Sequence, residues 1–217
     1  MGLRINDTIP NLIVETDQGS FSLQDFIGDS WAILFSHPKD FTPVCTTEFG
    51  AVATLAEEWK KRNTKVIGLS VDGVEEHKQW KSDIESFSGH PAGFPIIADE
   101  DLQVAKAFDM LPADAYLPDG RTAADSASVR SVFIMSPDKK LQLSMTYPMS
   151  VGRNFAEVLR ALDALQATYG VPIATPANWE HGQDVIVALS LDDDAARKRF
   201  GNVETHLPYL RTTAMPR

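Results

Sequence analysis

The residue with the clearest chemical potential is Cys45, the single cysteine of this 217-residue chain. It follows Pro43, where a proline-bearing loop gives way to an amphipathic helical pattern, and proline is well tolerated in the first turn of a helix. A thiol in that turn lies beside unpaired backbone N–H groups and the positive end of the helix dipole, which favour the nucleophilic thiolate. A free cysteine is also commonly a buried core residue. Position alone therefore leaves a reactive and a structural interpretation open.

The residues around Cys45 form a recognisable signature. Residues 38–45, PKDFTPVC, match the PxxxTxxC pattern of peroxiredoxins, and the longer run ILFSHPKDFTPVCTTEFG resembles the one-cysteine branch of that family. Further matching segments follow in the same order: KVIGLSVDGVEEHKQW, FPIIAD, VRSVFIMSPDKKLQLS, TYPMSVGRNFAEVLRALDALQ and ATPANWEHGQDVIV. The resemblance covers nearly the whole chain. It implies a thioredoxin-like fold and a thiol-dependent peroxidase that reduces hydrogen peroxide and organic hydroperoxides through a sulfenic acid at Cys45.

The resemblance also implies roles for three residues beside Cys45. Pro38 would shield the pocket and fix the loop. The Thr42 hydroxyl can donate and accept hydrogen bonds, so it would position both the thiolate and the peroxide, or it would cap the helix, and the two roles are compatible. Arg130 would hold the sulfur anion and stabilise charge on the peroxide with its planar fork of donors. Without the motif, Arg130 would simply be expected in a surface ion pair.

Other charged residues near the signature are assigned supporting roles. Glu48 and Arg153 resemble a family pair that orients Arg130. His37 precedes the signature proline, and it would orient the thiolate or substrate, contact a reductant, or merely bond to the backbone at a strand end. Cys45 and His37 are too few ligands for a metal site, and we expect neither a metal nor a cofactor. The remaining histidines are expected to be ordinary surface or structural residues: His77, His90, His181 and His206.

The absence of a second cysteine bears on how such a peroxidase would be recycled. An internal disulfide, CxxC redox chemistry and an all-cysteine zinc or iron–sulfur site are excluded. After attack, Cys45 becomes a sulfenic acid that no other cysteine of the chain can resolve. Reduction must therefore come from outside, from glutathione, thioredoxin, another thiol or ascorbate.

Two alternative functions are weighed against peroxide reduction. Some one-cysteine peroxiredoxins are described as phospholipases with a GxSxG serine, but here the segment reads Gly28-Asp29-Ser30-Trp31-Ala32. Gln24 stands where the catalytic histidine would be and cannot act as a base, although Asp138 matches the third member. Ser30 precedes a strand, which is not the context of a nucleophile elbow. The other alternative is a redox sensor or holdase chaperone that signals through oxidation of Cys45.

The elements that must position these residues follow a βα order. Apolar runs predict strands at 31–36, 66–71 and 95–98, and helical stripes run through Phe49 to Trp59 and Val74 to Phe87. A short helix is expected at 102–108, a long loop at 111–128, and hairpins at 12–23 and 129–147. A strong helical stripe runs from Phe155 to Tyr169. This order predicts an α/β fold with a central mixed sheet flanked by helices.

The composition and periodicity of the sequence change after Tyr169. Residues 170–176 are typical of a linker, and the remainder offers one strand at 185–189 and one helix at about 192–200. We expect residues 1–169 to form the thioredoxin-like domain and residues 170–217 to form a small α+β dimerisation extension. The extension has too little apolar material for its own core, so it should pack on the main domain or, preferably, across a homodimer or higher oligomer.

Composition and charge narrow the partners further. Hydrophobic residues make up 43% and charged residues 23% of the chain, which is ordinary globular usage. The formal net charge of −10 disfavours nucleic acid and anionic membrane surfaces. We find neither a signal peptide nor an apolar run long enough to span a membrane. A free thiol then suggests the cytoplasm.

Overall fold

The computed structural model describes residues 2–113, 115 and 126–216. The chain divides into two compact units, Met1–Phe155 and Ala156–Arg217, and each is described by itself. The expected long loop at 111–128 lies largely outside the described residues. No helix in the described part of the chain combines the length and apolarity needed to cross a membrane.

The described residues of the first unit form a mixed five-stranded sheet, a two-stranded sheet and five complete helices. Its elements in chain order are β1 (Ile13–Val14), β2 (Phe21–Ser22), α1 (Leu23–Ile27), β3 (Trp31–Ser36), α2 (Pro43–Thr54), α3 (Ala56–Lys61), β4 (Thr64–Ser70), α4 (Val74–Ser88), β5 (Ile96–Ala98), α5 (Gln103–Ala107), β6 (Arg130–Met135) and β7 (Leu141–Tyr147). The main sheet has the order β5-β4-β3-β6-β7. Strand β3 is parallel to β4 and antiparallel to β6. The predicted mixed sheet is therefore confirmed.

The central strand β3 is covered on both faces. All six of its residues are buried, which agrees with the unbroken apolar run expected of such a strand. Successive side chains point to opposite faces of a sheet. Leu34 accordingly belongs to one apolar core cluster, whereas the ring of Phe35 packs against Phe49 on α2, with 4.8 Å between ring centroids. This packing fixes α2, and the residues at its start, against the end of β3.

The helical stripe from Phe49 to Trp59 is divided between two helices, which corrects the expectation of one. Leu55 leaves helical geometry with φ −89° and ψ 12°. The Val52 carbonyl accepts hydrogen bonds from the Leu55 N–H at 3.2 Å and from the Trp59 indole Nε1 at 3.0 Å. The indole therefore takes a carbonyl that an unbroken helix would use, and Ala56 becomes exposed rather than part of the apolar face.

The remaining predictions for the first unit largely hold. The hairpin β1–β2 forms around Gly19, which adopts the positive φ of 106° that the turn needs. Helix α4 buries Trp80 and Ile84 as predicted, but Phe87 near its end is 62% exposed and lies outside the core. The hairpin of β6 and β7 is confirmed.

The second unit has more strands than its sequence suggests. Its elements are α6 (Phe155–Thr168, whose first residue lies in the first unit), β8 (Ile173–Ala174), β9 (Val185–Val187), α7 (Asp193–Phe200), β10 (Glu204–Leu207) and β11 (Leu210–Thr213). The strands form one sheet in the order β10-β11-β9-β8. The predicted linker at 170–176 thus contains a strand, and β10 and β11 were missed. All four residues of β10 are exposed, so the strand carries no alternation of apolar and polar residues.

The second unit has a small buried cluster to which α6 contributes. Ile173, Trp179 and Val185 form this cluster, and Ala164 and Ala167 of α6 pack against it. The sequence pattern assigns α6 to the preceding domain and does not single out Trp179. The division into residues 1–169 and 170–217 stays a prediction.

Candidate active site

Cys45 lies in the first turn of α2, as the sequence predicts. Thr42 is the N-cap residue with an extended backbone, and Pro43 is the first helical residue. The N–H of Thr46 donates to the Thr42 carbonyl at 3.0 Å, which closes the first turn around Cys45. The cysteine is fully buried. The thiol therefore lies where unpaired helix N–H groups and the helix dipole favour a negative charge.

Arg130 reaches Cys45 from the neighbouring strand. It is the first residue of β6, which pairs with β3, and its Nη1 donates to Cys45 Sγ at 3.4 Å. The same Nη1 donates to Glu48 Oε2 at 2.7 Å, and Nε donates to the Met149 carbonyl at 2.7 Å. The guanidinium is therefore held at three points, and one of them is the sulfur. Sequence reasoning did not find the Met149 contact, because a backbone carbonyl leaves no signal in residue types.

Glu48 joins two arginines beside the thiol. It lies one turn after Cys45 on α2, and its Oε2 accepts from Arg130 and from Arg153 Nη2, each at 2.7 Å. Its Oε1 accepts from the Arg153 backbone N–H at 2.8 Å and from Arg153 Nε at 2.9 Å. Burial alone would raise the pKa of Glu48, but the hydrogen bonds and charge of Arg153, with the charge of Arg130, hold that pKa below its ordinary value. Arg130, Arg153 and Glu48 together then carry two positive charges and one negative charge. A thiolate at Cys45 would make this buried site neutral.

Arg153 is anchored independently of Glu48. Its Nη1 donates to the Ser131 carbonyl at 2.8 Å. Its guanidinium also lies over the rings of Phe35 and Phe155, each with its centroid 5.4 Å from Cζ. The structure thus brings together Cys45 and the three charged residues that the family resemblance singled out.

Thr42 and Pro38 belong to the loop that leads into α2. Pro38 is buried and Thr42 is half-buried. Thr42 Oγ1 donates to the Lys39 carbonyl at 2.9 Å, and its side chain makes no hydrogen bond to the helix N–H groups. The expected side-chain cap is therefore not formed. The oxygen lone pairs of Thr42 stay available to accept another hydrogen bond.

His37 is bonded to a carboxylate rather than to the backbone through its ring. It is fully buried, its Nε2 lies 2.6 Å from Asp40 Oδ1, and its ring stacks on Trp80 with 5.0 Å between centroids. Burial lowers the pKa of His37, and the nearby Asp40 only partly opposes this effect. The ring is therefore neutral at ordinary pH.

Comparisons with known proteins agree with this geometry. The model of the AhpC/TSA family matches residues 5–144, and the model of the C-terminal domain of 1-Cys peroxiredoxin matches residues 164–202. The chain belongs to the one-cysteine peroxiredoxins. Peroxiredoxin-6 of Gallus gallus is 47% identical over 225 residues, which cover 99% of both chains. The mitochondrial peroxiredoxin PRX1 of Saccharomyces cerevisiae is 47% identical over 214 residues, or 97% of this chain and 80% of the yeast protein.

Solved structures of peroxiredoxins share the fold. A Cys-to-Ser variant of peroxiredoxin 6 from Arenicola marina superposes with a TM-score of 0.92 at 40% identity and covers 100% of both chains. The yeast mitochondrial 1-Cys peroxiredoxin has a TM-score of 0.88 at 46% identity and covers 98% of this chain and 99% of its own. The predicted thioredoxin-like fold is thus confirmed, and the chain is a thiol-dependent peroxidase of the one-cysteine type.

The serine considered for phospholipase chemistry has other partners in this peroxiredoxin. Ser30 Oγ donates to Asn63 Oδ1 at 3.2 Å, and Gln24 Nε2 donates to the Ile9 carbonyl at 2.8 Å. Asp138 accepts a hydrogen bond from Ser136. None of these contacts supplies Ser30 with a base, as the sequence led us to expect.

One buried cluster in the described part of the chain has metal-binding residue types. His37, Asp40 and Asp72 offer ligand atoms within 4.8 Å of one another. These atoms already bond within the protein: Asp40 Oδ1 contacts His37, and Asp72 Oδ2 accepts from the Asp40 N–H and from Ser70 Oγ, each at 2.8 Å. We therefore assign no metal to the cluster. His77 belongs to the same hydrogen-bond network, through its contact with Asp40.

Proposed function

We propose that Cys45 reduces hydrogen peroxide and organic hydroperoxides in the pocket at the start of α2. The thiolate attacks one peroxide oxygen and the O–O bond breaks. Cys45 becomes a sulfenic acid, and the departing hydroxide or alkoxide takes up a proton to give water or an alcohol. The observation that carries this proposal is the hydrogen bond from Arg130 Nη1 to Cys45 Sγ. Arg130, Arg153 and Glu48 together carry one net positive charge in a buried site, and a thiolate at Cys45 would neutralise that charge.

The surrounding side chains have distinct proposed roles in this reaction. Arg130 stabilises the thiolate and the negative charge that develops on the peroxide. Glu48 and Arg153 orient Arg130, Thr42 positions the peroxide and the sulfur, and Pro38 shields the site. His37 is proposed to support the loop, since its ring is bonded to Asp40 and is buried.

The sulfenic acid is proposed to be reduced by an external thiol. One thiol condenses with it to form a mixed disulfide and water, and a second thiol then releases reduced Cys45. The solved structure of the yeast mitochondrial relative shows the structural basis of a thiol-resolving mechanism via glutathione/thioredoxin systems. We propose the same two classes of reductant here.

Turnover with a panel of reductants tests this function. Peroxide consumption is followed with glutathione, thioredoxin with its reductase, or ascorbate, at a large excess of peroxide over protein. Many peroxides consumed per chain with at least one thiol is the expected result. A single oxidation per chain with every reductant would contradict the enzyme and would favour a redox sensor.

We propose a homodimer in which residues 170–217 act as the dimerisation segment, with higher oligomers built from it. Large apolar side chains of this segment remain exposed: Leu189 at 71%, Tyr209 at 66% and Leu207 at 43%. Burying them against a second copy would remove this apolar surface from water. Light scattering should give twice the 23.9 kDa chain mass at micromolar concentration. A stable species at the mass of one chain would contradict the dimer.

We propose that the protein acts in the cytoplasm, because its one cysteine is free and a reducing compartment keeps such a thiol reduced. The yeast relative is mitochondrial, so cell fractionation with markers for both compartments is the direct test. Recovery in the mitochondrial fraction would overturn this assignment.

A further inference from the structure

One carboxylate, that of Asp40, ties the loop between β3 and α2 to helix α4. Asp40 Oδ1 lies 2.6 Å from His37 Nε2, and Asp40 Oδ2 lies 2.6 Å from His77 Nδ1 on α4. The Asp40 N–H donates to Asp72 Oδ2 at 2.8 Å. Asp40 is 1% exposed, and both histidines are fully buried. A buried anchor therefore lies two residues before Thr42.

The contacts of His77 fix the number of protons in this anchor. His77 Nε2 lies 3.1 Å from the Ile97 carbonyl oxygen, which can only accept, so Nε2 carries a proton. A neutral ring then has a bare Nδ1, which a bare carboxylate oxygen would repel at 2.6 Å. One further proton must therefore lie between His77 Nδ1 and Asp40 Oδ2.

The contacts of His37 and Asp40 place that proton. His37 Nδ1 has no hydrogen-bond partner among the described residues, and burial lowers the pKa of this ring, so His37 is neutral with its proton on Nε2. Burial alone would raise the pKa of Asp40, but the hydrogen bonds from His37 and His77 outweigh it and lower that pKa to about 2. Asp40 is then a carboxylate that accepts hydrogen bonds from both rings, and the shared proton lies in the bond from His77 Nδ1 to Asp40 Oδ2.

The backbone between this anchor and the site is strained. Phe41 adopts φ 54°, a left-handed conformation that is unfavourable for bulky residues. Its side chain is 51% exposed, so core packing does not hold it there. The bonds of Asp40 on one side and the N-cap position of Thr42 on the other therefore maintain the turn.

We propose that Asp40 and His77 are positioning residues for peroxide reduction: they form a buried, proton-sharing pair that holds the strained Phe41 turn and thereby aims Thr42 and the first turn of α2 at the peroxide. This inference rests on the proposed function of Cys45. Neither residue touches the reacting atoms in this account, since both act through the loop.

Substitution of Asp40 separates positioning from simple loss of stability. Asp40→Ala removes the side-chain bonds of Asp40 to both histidines and leaves its backbone N–H bond to Asp72. Asp40→Asn can keep them, because its Oδ1 accepts from His37 Nε2–H and its Nδ2 donates to Nδ1 of a neutral His77. We expect the second-order rate constant of Cys45 oxidation to fall about tenfold to a hundredfold in Asp40→Ala, as for a misplaced catalytic group, and to stay within about threefold of wild type in Asp40→Asn.

A core variant supplies the matched control. Leu141→Ala empties a fully buried position on β7, so it should lower Tm without changing the rate constant at a temperature where the protein is folded. A wild-type rate in folded Asp40→Ala would overturn the proposal. Equal losses in Asp40→Asn and Asp40→Ala, or an equal loss in Leu141→Ala, would overturn it as well.

Nitrogen-15 NMR of the imidazole rings tests the proton count on the wild-type protein and needs no variant to fold. We expect His77 Nδ1 and Nε2 to give the signals of two hydrogen-bonded N–H groups, and His37 to show one protonated and one bare nitrogen. In Asp40→Asn, His77 Nδ1 should instead be bare, because the amide Nδ2 donates a hydrogen bond to it. A wild-type His77 with a bare Nδ1 would contradict the shared proton. If wild-type protein failed to reduce peroxide, the proposed function would fail, whereas the NMR result would still decide the state of the pair.

Discussion

Two buried charge clusters flank the start of α2, and they are built from different chemistry. In one, Glu48 lies between the guanidinium groups of Arg130 and Arg153. In the other, Asp40 lies between the imidazole rings of His37 and His77. Each carboxylate is bonded to two nitrogen bases, and the pKa of each is lowered by them against the opposing effect of burial.

The difference between the clusters lies in what acid does to them. Arginine keeps its charge at any ordinary pH, whereas histidine changes charge near neutrality. The arginine cluster contacts Cys45 Sγ directly. Because both arginines keep their charge, their electrostatic stabilisation of a thiolate depends little on pH. The histidine cluster bonds to the loop instead. We infer that the permanent charges serve the reaction and the titratable ones serve the local structure.

The largest expected effect is the loss of peroxide reduction in Cys45→Ser. Serine keeps the shape of the side chain, but its hydroxyl is far too weak an acid to supply the nucleophile. Far-UV circular dichroism and thermal melting should show a folded protein with both clusters intact. Peroxide consumption by that folded variant would refute the role of Cys45.

Arg130→Lys should separate the charge of the arginine cluster from its hydrogen-bond geometry, because the charge is kept and the geometry is lost. Lysine lacks the planar fork that reaches the sulfur, Glu48 and the Met149 carbonyl together. We expect a loss of about 2–4 kcal/mol of transition-state stabilisation, by analogy with removal of an oxyanion donor. Stopped-flow measurement of the second-order rate constant with peroxide decides the point. A value within about twofold of wild type would reject the assigned role.

Acid should weaken the histidine cluster at a pH where the arginine cluster is still intact. The pKa of His37 is lowered in the folded state, so the unfolded chain takes up its proton first, and stability falls as pH drops below the ordinary histidine value of 6.5. The pKa of Asp40 is also lowered, so its contribution is complete above 3.8 and is lost as pH falls towards about 2. For Asp40 alone the loss is about 2 kcal/mol.

Urea unfolding between pH 8 and pH 2 measures this loss. Asp40→Asn should lack the component between pH 4 and pH 2, because it cannot take up the proton. A wild-type free energy of unfolding that stays constant from pH 7 to pH 5 would contradict the assignment of a neutral buried His37.

The smallest effect is expected from Ser30→Ala, which lies in neither cluster. The Ser30 hydroxyl donates a hydrogen bond to the side-chain amide oxygen of Asn63, which is not a base that could activate it. The peroxide rate constant should stay within about twofold of wild type, and surface substitutions of this kind usually change stability by less than about 0.5 kcal/mol. Lipid ester hydrolysis that disappears in Ser30→Ala but survives in Cys45→Ser would restore the phospholipase alternative.

The features of this protein that depend on neighbouring residues can be predicted from its sequence. Pro43 and the apolar spacing after it place Cys45 in a first helical turn, and the run at 31–36 predicts a strand buried on both faces. The single cysteine excludes an internal resolving disulfide. These inferences hold because caps, turns and periodicity are local properties of the chain.

Contacts between residues far apart in the sequence are known only from the folded chain. Asp40 and His77 are 37 residues apart, and Cys45 and Arg130 are 85 apart; the motif resemblance suggested the second contact, whereas nothing suggested the first. The break at Leu55 depends on a carbonyl taken by the Trp59 indole, and β10 has no buried face to mark it. Buried polar groups must find partners wherever packing brings them, so their pairing follows from the assembled sheet and helices and not from residue order.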